Sequence, residues 1–111
     1  MSFDFPEPIK TLPKADIPIE GLVAYLAQSE THQTLYMRFE KPVDLPEHSH
    51  ADQVGFVLNG MIELTVAGEK RVYGKGESYH IPAGVPHSAR VAENYADITV
   101  FMQPDRYSII C

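Results

Sequence analysis

Two short histidine-containing segments, far apart in the chain, most strongly constrain how this sequence folds. His48 and His50 are one residue apart, so in an extended strand their side chains point to the same face. Gln53 follows closely with a side-chain oxygen, and His87 can supply a further ligand from a distant strand. Together these residues would build one site for a divalent metal. We therefore expect a fold that makes the two segments neighbours.

The rest of the chain predicts short β-strands separated by turns, with no convincing helical period. Ile62, Leu64 and Val66 alternate with more polar residues, which is typical of a strand with one buried face. Asn59-Gly60 is a strong two-residue hairpin signal. This pattern predicts an all-β sandwich or barrel. The candidate strands cover residues 22–27, 34–40, 53–58, 61–67, 70–73, 78–81, 87–92 and 97–102.

The length of 111 residues and the 44% hydrophobic content fit one domain with one core. Residues 1–16 contain three prolines and scattered charges, which predicts an extended N-terminal arm without a core of its own. That arm is either disordered or laid along a partner subunit. Residues 17–111 form the predicted barrel domain. Because strands 22–27 and 34–40 are more apolar than one small barrel needs, we expect a homodimer.

The composition excludes several classes of partner. A net charge of -6 offers no basic surface for phosphate backbones, so we expect no nucleic-acid partner. No apolar run approaches the ~20 residues of a membrane span, so we expect no membrane partner. The N-terminal segment has no secretion signal, and the single cysteine, Cys111, permits no intrachain disulfide. These features predict a cytoplasmic protein.

The two histidine segments match the two motifs of the cupins, a family of small double-sheet β-barrels, which this chain resembles over roughly residues 34–102. The first cupin motif reads G-x5-H-x-H-x3,4-E-x6-G and the second G-x5-P-x-G-x2-H-x3-N. The resemblance implies an all-β, double-stranded β-helix, the cupin jelly-roll barrel. The matching residues are His48, His50, Gln53 and Gly60 in the first motif, and Gly76, Pro82, Gly84 and His87 in the second.

The chain departs from both motifs at positions that affect the metal site. Pro42 replaces the leading glycine of the first motif, and Val91 replaces the final asparagine of the second. Only two residues separate His50 from Gln53, which stands where the family has a glutamate. Three ligand sets follow: Gln53 is the fourth ligand, a rotation brings in Asp52 instead, or the histidines bind alone.

The ligand set His48, His50, Gln53 and His87 implies one divalent transition metal per chain. The donors do not distinguish among Fe, Mn, Ni, Zn and Cu. All four ligands are neutral, so the metal keeps its full +2 charge and favours an anionic small-molecule ligand such as a carboxylate. Four protein ligands also leave open positions on a six-coordinate ion, which substrate binding requires.

Two candidates for catalysis, Tyr36 and His80, depend on which strand faces are interior. Tyr36 and Arg38 share one face and would orient an anionic substrate if that face is inside. The alternative is a hydrophobic wall formed by Met37 and Phe39. His80 points to the opposite side from its strand neighbours, and it is either a cavity residue or a surface histidine.

Small cupins that linearise unsaturated uronates in pectin and alginate breakdown are similar to this chain in length and layout. Their proposed catalytic acid aligns with Val100 and their neighbouring aromatic residue with Met102, whereas Arg106, our third catalytic candidate, matches an arginine there. The missing acid counts against that activity. Asp97 and Thr99 lie on the other face of the same strand.

We therefore predict a metal-binding single-domain cupin that isomerises, tautomerises or ring-opens a small carboxylate or sugar-derived substrate. The metal would polarise a carbonyl, and a nearby histidine or tyrosine would transfer the proton. One alternative is an Fe(II)-dependent dioxygenase. Another is a non-catalytic small-ligand-binding module, as in the sensor halves of some transcription regulators.

Overall fold

The computed structural model describes residues 3–110, which form two antiparallel β-sheets around one core. The large sheet has the strand order β1-β2-β9-β4-β7, and the small sheet has the order β3-β8-β5-β6. Within residues 3–110, no helix is long and apolar enough to cross a membrane. The elements are α1 (Glu7–Lys10), β1 (Leu22–Gln28), β2 (Gln33–Phe39), β3 (Val43–His48), β4 (Gln53–Asn59), β5 (Met61–Val66), β6 (Glu69–Gly74), β7 (Ser78–Ile81), β8 (His87–Val91) and β9 (Tyr95–Phe101).

Alternation along the strands decides which side chains enter the space between the sheets. On β2, Leu35, Met37 and Phe39 are buried in the core. On β9 the inward residues are Tyr95, Asp97, Thr99 and Phe101, all of them buried. The small sheet completes the core with Ile62, Leu64 and Val91. The core is therefore mostly apolar, and its buried polar side chains are Asp97 and Thr99 on β9, Gln33 on β2 and His87 on β8.

The predicted hairpin at Asn59-Gly60 is wrong, because β4 and β5 belong to different sheets. The Asn59 side chain donates a 2.7 Å hydrogen bond to the carbonyl of Asn94, and this contact fixes the corner where the chain changes sheet. The two-residue hairpin occurs instead between β5 and β6. There Ala67 and Gly68 both have positive φ, at 50° and 81°, as a type I′ turn requires.

The sequence predicts an extended N-terminal segment, whereas the segment contains a helical turn and packs against its own chain. It forms the helical turn α1, and Phe5, which is 5% exposed, packs edge-on against Tyr25 and Tyr36. Ala15 is also buried and forms a bridge with Ile109. Residues 1, 2 and 111 lie outside the described part of the chain. The domain division at residue 16 stays a prediction.

The strand β3 was not predicted, and it carries the first histidine of the site. It is an edge strand of the small sheet and pairs only with β8. Pro46 interrupts its pattern, and a proline is compatible with an edge strand because one side needs no ladder hydrogen bond. The two histidine segments are adjacent in space because this strand pairs with β8.

Candidate metal centre and its cavity

Pairing of β3 with β8 brings the two histidine segments together, as the sequence predicts. His48 at the end of β3 lies directly opposite His87 at the start of β8, after a register shift that follows Leu45. His50 lies in the loop after β3, and its carbonyl accepts a 2.9 Å hydrogen bond from the Gly84 amide. Sheet pairing and this loop contact therefore hold the three imidazoles in one place.

The three histidines form a tight cluster. Their ring centroids lie 5.3 Å apart for His48 and His50, 4.3 Å for His48 and His87, and 4.6 Å for His50 and His87. One ring nitrogen from each residue lies within 4.8 Å of the others. The cluster is therefore a possible site for a single metal ion.

Backbone contacts orient each imidazole for metal binding. The Nδ1 atoms of His48, His50 and His87 lie 2.7, 2.7 and 3.0 Å from the carbonyl oxygens of Pro46, Ala51 and Val85. A carbonyl only accepts, so each Nδ1 carries the proton and each Nε2 presents a lone pair. The Nε2 atoms of His50 and His87 are buried without a hydrogen-bond partner. Such an arrangement is typical of metal-binding histidines.

The environment favours the neutral form of His50 and His87. Burial lowers the pKa of His50 to about 4, and the nearby charge of Arg106 acts in the same direction. Burial also lowers the pKa of His87. Neutral imidazoles have the free lone pair that a metal ion needs.

Gln53, the first residue of β4, lies beside the cluster and lines the cavity. Its Nε2 donates to the Tyr79 hydroxyl at 3.4 Å, which leaves its Oε1 atom free. Asp52 lies elsewhere, because its Oδ1 accepts hydrogen bonds from His80 at 2.9 Å and from the Ala83 amide at 3.2 Å. This arrangement favours Gln53 over Asp52 as the fourth ligand, although ligation by Gln53 stays a prediction.

The cluster opens into a cavity of about 250 Å³ between the two sheets. Most of its wall is aliphatic or aromatic, with Met37 and Phe39 on one side and Ile62 and Leu64 on the other. Arg106 is the only Lys or Arg side chain among the described lining residues, and Asp97 is the only carboxylate. The cavity is thus a small apolar space with a few charged groups on its wall.

Of the three catalytic candidates from the sequence, only Arg106 reaches this cavity. Its guanidinium carbon lies 5.0 Å from the centre of the Phe101 ring, and its Nε donates to the Tyr107 hydroxyl at 3.1 Å. Tyr36 lies on the outer face of the large sheet against the N-terminal segment. His80 points outward with a side chain that is 57% exposed.

The sequence reasoning missed Asp97, a carboxylate that is only 3% exposed on the inward face of β9. Its Oδ2 accepts hydrogen bonds from the Tyr95 hydroxyl at 2.6 Å and the Tyr79 hydroxyl at 3.4 Å. Its Oδ1 is buried without a partner. Burial raises the pKa of Asp97 to about 6, and the hydrogen bond from Tyr95 opposes that shift.

Strand parity held a signal for Asp97, because it placed Asp97, Thr99 and Phe101 on one face. The sequence comparison instead sought an acid at Val100. Val100 lies on the outer face of β9, and Met102 is 50% exposed. An acid at Val100 or an aromatic residue at Met102 would therefore not line the cavity of this chain.

Comparison with known proteins agrees with this architecture. A family model described as Cupin domain matches residues 35–101. The structure of KdgF from Halomonas sp. is similar with a TM-score of 0.72 and 25% identity, over 83% of this chain and 86% of that chain. An RmlC-like cupin from Shewanella frigidimarina is similar with a TM-score of 0.74 and 24% identity, over 94% and 91% of the two chains.

Two larger proteins match through a part of their length. Oxalate decarboxylase from Bacillus subtilis, a protein with Mn(II) centres, has a TM-score of 0.71 and 21% identity, over 99% of this chain and 32% of that chain. Mannose-1-phosphate guanylyltransferase from Escherichia coli is 42% identical over 41 residues, which are 37% of this chain and 9% of that protein. The first match covers about a third of oxalate decarboxylase, and the second covers a short stretch of the guanylyltransferase.

Proposed function

This chain belongs to the cupin family, and from that premise we propose that it uses one divalent transition metal to isomerise, tautomerise or ring-open a small carboxylate. The metal would be held by His48, His50 and His87, with Gln53 as fourth ligand. One observation carries the proposal: two buried Nε2 atoms without partners lie in a cavity that also contains a single arginine.

The donor set fits a transition metal better than Mg²⁺ or Ca²⁺, which prefer all-oxygen shells. Three imidazole nitrogens and one amide oxygen suit Fe, Mn, Ni, Zn or Cu. The hydrogen bond from Gln53 to Tyr79 supports the fourth ligand, because it turns the amide nitrogen toward Tyr79 and leaves the oxygen available. When bound, the metal supplies a Lewis acid that polarises a substrate carbonyl.

The charge of the site favours an anionic substrate. The proposed ligands are all neutral, so none of them cancels the charge of a divalent ion. Arg106 adds a further positive charge on the same wall, close enough to lower the pKa of both His50 and His87. An arginine also binds a carboxylate through two parallel hydrogen bonds, which fixes the orientation of the substrate.

The size and wall of the cavity favour a small substrate and a reaction without a co-reactant. A volume of about 250 Å³ accommodates a compact molecule. The apolar walls exclude water and strengthen the electrostatic contacts inside. Isomerisation, tautomerisation and ring opening need only proton transfer within the bound molecule, so a second substrate site is unnecessary.

The similarity in length and layout to the uronate-linearising cupins supports a sugar acid as the first substrate class to examine. Arg106 matches an arginine that the sequence comparison found in uronate-linearising cupins. Val100, which stands at the position of their acid, lies on the outer face of β9, so an acid for this cavity has to come from another residue.

The test is turnover by protein loaded separately with Fe(II), Mn(II), Ni(II), Zn(II) and Cu(II). Proton NMR would follow a panel of saturated and unsaturated uronates and 2-oxo acids. We expect turnover with at least one metal, and a loss of at least tenfold in Arg106→Ala. The matched control Arg90→Ala removes an exposed arginine paired with Asp44 and keeps the wild-type rate. Oxygen consumption by the Fe(II)-loaded protein would contradict the proposal and indicate a dioxygenase. Tight binding of a ligand without turnover would contradict it and indicate a ligand-binding module.

We also propose that the protein is a homodimer. The outer face of the large sheet carries a contiguous apolar patch in which Phe56 is register partner of Ile98, and Val54 of Val100. Phe56 is 46% exposed, a large value for an aromatic side chain at the centre of a sheet face. The N-terminal segment covers the adjoining part of this face, at Tyr25 and Tyr36.

A further inference from the structure

Asp97 differs from every other carboxylate among residues 3–110, because it is the only buried one. A buried carboxylate is costly unless its oxygens are paired. Oδ2 is well paired by Tyr95 and Tyr79, whereas Oδ1 is buried without a hydrogen-bond partner, on a residue that lines the cavity. One oxygen is thus held in place by two phenols, while the other has no partner in the protein.

Asp97 is also close to the proposed metal ligands without touching them. Two hydrogen bonds of 3.4 Å lead from Gln53 through the Tyr79 hydroxyl to Asp97. On the scale of a small substrate, these two steps are a few bond lengths. The histidine cluster and Asp97 therefore belong to one cavity and are joined by one chain of polar contacts.

No other described group of the cavity is as suited to take up and return a proton. Burial raises the pKa of Tyr79 and of Tyr95, so both phenols stay protonated. The guanidinium of Arg106 offers only hydrogen-bond donors and no acceptor, and the histidine Nε2 atoms are assigned to the metal. The residues in register with Asp97 on β2 and β4, Met37 and Val57, do not titrate.

Few ionisable side chains surround Asp97. Tyr95 on its own strand and Tyr79 on β7 are the titratable groups in contact with it. Apart from His48 and His87, the small sheet lines the cavity with side chains that carry no charge. The single arginine of the lining, Arg106, follows β9 at the other end of this strand.

We propose that Asp97 is the catalytic residue that transfers the proton of the bound substrate. This proposal deepens the proposed function and rests on it. The Oδ1 atom takes a proton from the carbon next to a carbonyl, so a C–H bond breaks and an O–H bond forms. The electron pair of that bond moves toward the carbonyl oxygen, which gives an enolate. The same carboxyl returns the proton to that carbon, which exchanges it. Where the carbon carries a hydroxyl whose own proton passes to the former carbonyl oxygen, the carboxyl returns the proton to the former carbonyl carbon, which isomerises the substrate; no oxidant or reductant is consumed.

The pKa of Asp97 suits this role, because a base and acid works best when its pKa lies near the working pH. Burial raises the pKa to about 6, so near neutral pH the carboxylate is present and the acid it forms still gives up its proton readily. The short hydrogen bond from Tyr95 stabilises the ionised form and keeps the pKa from rising further.

The test compares Asp97→Asn with the wild type, each loaded with the most active metal of the panel. Exchange of the C–H protons of 2-oxobutyrate and D-galacturonate is followed by NMR in deuterium oxide. We expect exchange at least ~100-fold slower in Asp97→Asn. Two further readouts, metal content and calorimetric binding of succinate, should stay within about threefold of the wild type, because Asp97 is not a ligand of the metal or of Arg106.

The outcomes separate the two proposals. Exchange by the wild type that is unchanged in Asp97→Asn overturns the role of Asp97 and leaves the proposed function standing. No exchange or turnover by the wild type with any metal or probe overturns both. If Asp97→Asn does not fold, Tyr95→Phe decides: loss of the Tyr95 hydrogen bond raises the pKa of Asp97, so the acidic limb of kcat/KM should move to higher pH. An unmoved limb would contradict the proposal.

Discussion

The phenol ring of Tyr79 lies over Gly55, in the space that any larger side chain at position 55 would occupy. The two residues are register partners on β7 and β4, and an added Cβ at Gly55 would lie 2.5 Å from the Tyr79 hydroxyl oxygen. From this position the hydroxyl reaches both Gln53 and Asp97. A strand glycine thus makes room for the polar contacts of an otherwise apolar cavity.

We predict that Gly55→Ala forces the Tyr79 ring away from its partners. Overpacking of this kind lowers the free energy of unfolding by about 1–3 kcal/mol, which urea denaturation measures. Gly74→Ala is the matched control, because Gly74 is also a strand glycine but an added Cβ there meets nothing closer than 3.8 Å. Equal stability of the two variants would show that the Tyr79 ring moves aside without cost.

We predict that His50→Ala abolishes stoichiometric metal binding. The variant loses one of three imidazoles, and the two that remain hold the ion far more weakly. Elemental analysis of purified protein measures the effect. His80→Ala serves as the control. His80 points outward, so this variant should bind as much metal as the wild type. If the double variant His48→Ala, His50→Ala binds as much metal as the wild type, the site lies elsewhere.

We predict that Asp97 and His50 give the stability of the metal-free protein opposite dependences on pH. The pKa of Asp97 is raised from 3.8 to about 6, so the folded state binds more protons in that interval and loses stability as the pH rises. The pKa of His50 is lowered to about 4, so its contribution to stability is lost as the pH falls below about 6.5.

Asp97→Asn isolates the first of these contributions. The difference in free energy of unfolding, variant minus wild type, should become more positive by up to about 3 kcal/mol from pH 4 to pH 7. Any effect of the amide that does not depend on pH cancels in this comparison. Urea denaturation of metal-free protein at both pH values measures this slope. A constant difference between the two proteins would mean that the pKa of Asp97 is the same in the folded and the unfolded state.

We predict that Phe56→Glu converts the dimer into a monomer. Phe56 is exposed on the outer face of the large sheet, and a buried carboxylate at an interface without a partner is costly. Light scattering at micromolar concentration reports the change. Val72 on β6 of the small sheet is exposed to a degree similar to Phe56, and the control Val72→Glu should leave the dimer intact. A wild type that is monomeric at this concentration would refute the proposed dimer itself.

The sequence predicted what depends on local pattern. Alternation located eight of the nine strands and placed Asp97 on the same face as Phe101, and the two histidine segments indicated the cluster. Sheet membership was beyond reach, because the partners of β4 and β5 are set by pairings distant in sequence, and Asn59-Gly60 gave a false hairpin. The strand β3 was not predicted because it contains Pro46. A proline is acceptable there only because β3 lies at the edge of its sheet, and that position is also set by distant pairings.

The role of Asp97 was missed because a carboxylate on a strand ordinarily points to solvent. Its burial becomes acceptable only when Tyr79, from a different strand of the large sheet, supplies a hydroxyl beside that of Tyr95. Tyr79 in turn needs the empty position at Gly55. No local pattern records such a chain of dependences.

We predict that Gln53→Glu raises metal affinity and weakens carboxylate binding. A carboxylate beside a divalent ion in a poorly solvated cavity gains several kcal/mol of attraction, and the charge seen by a second anion falls from +2 to +1. Titration with succinate and measurement of metal content test both effects. Gln103→Glu is the control, because its side chain already accepts a hydrogen bond from the Ala51 amide and keeps that contact when charged. Unchanged metal and succinate binding in Gln53→Glu would show that residue 53 does not touch the metal, and the ligands would then be the three histidines alone.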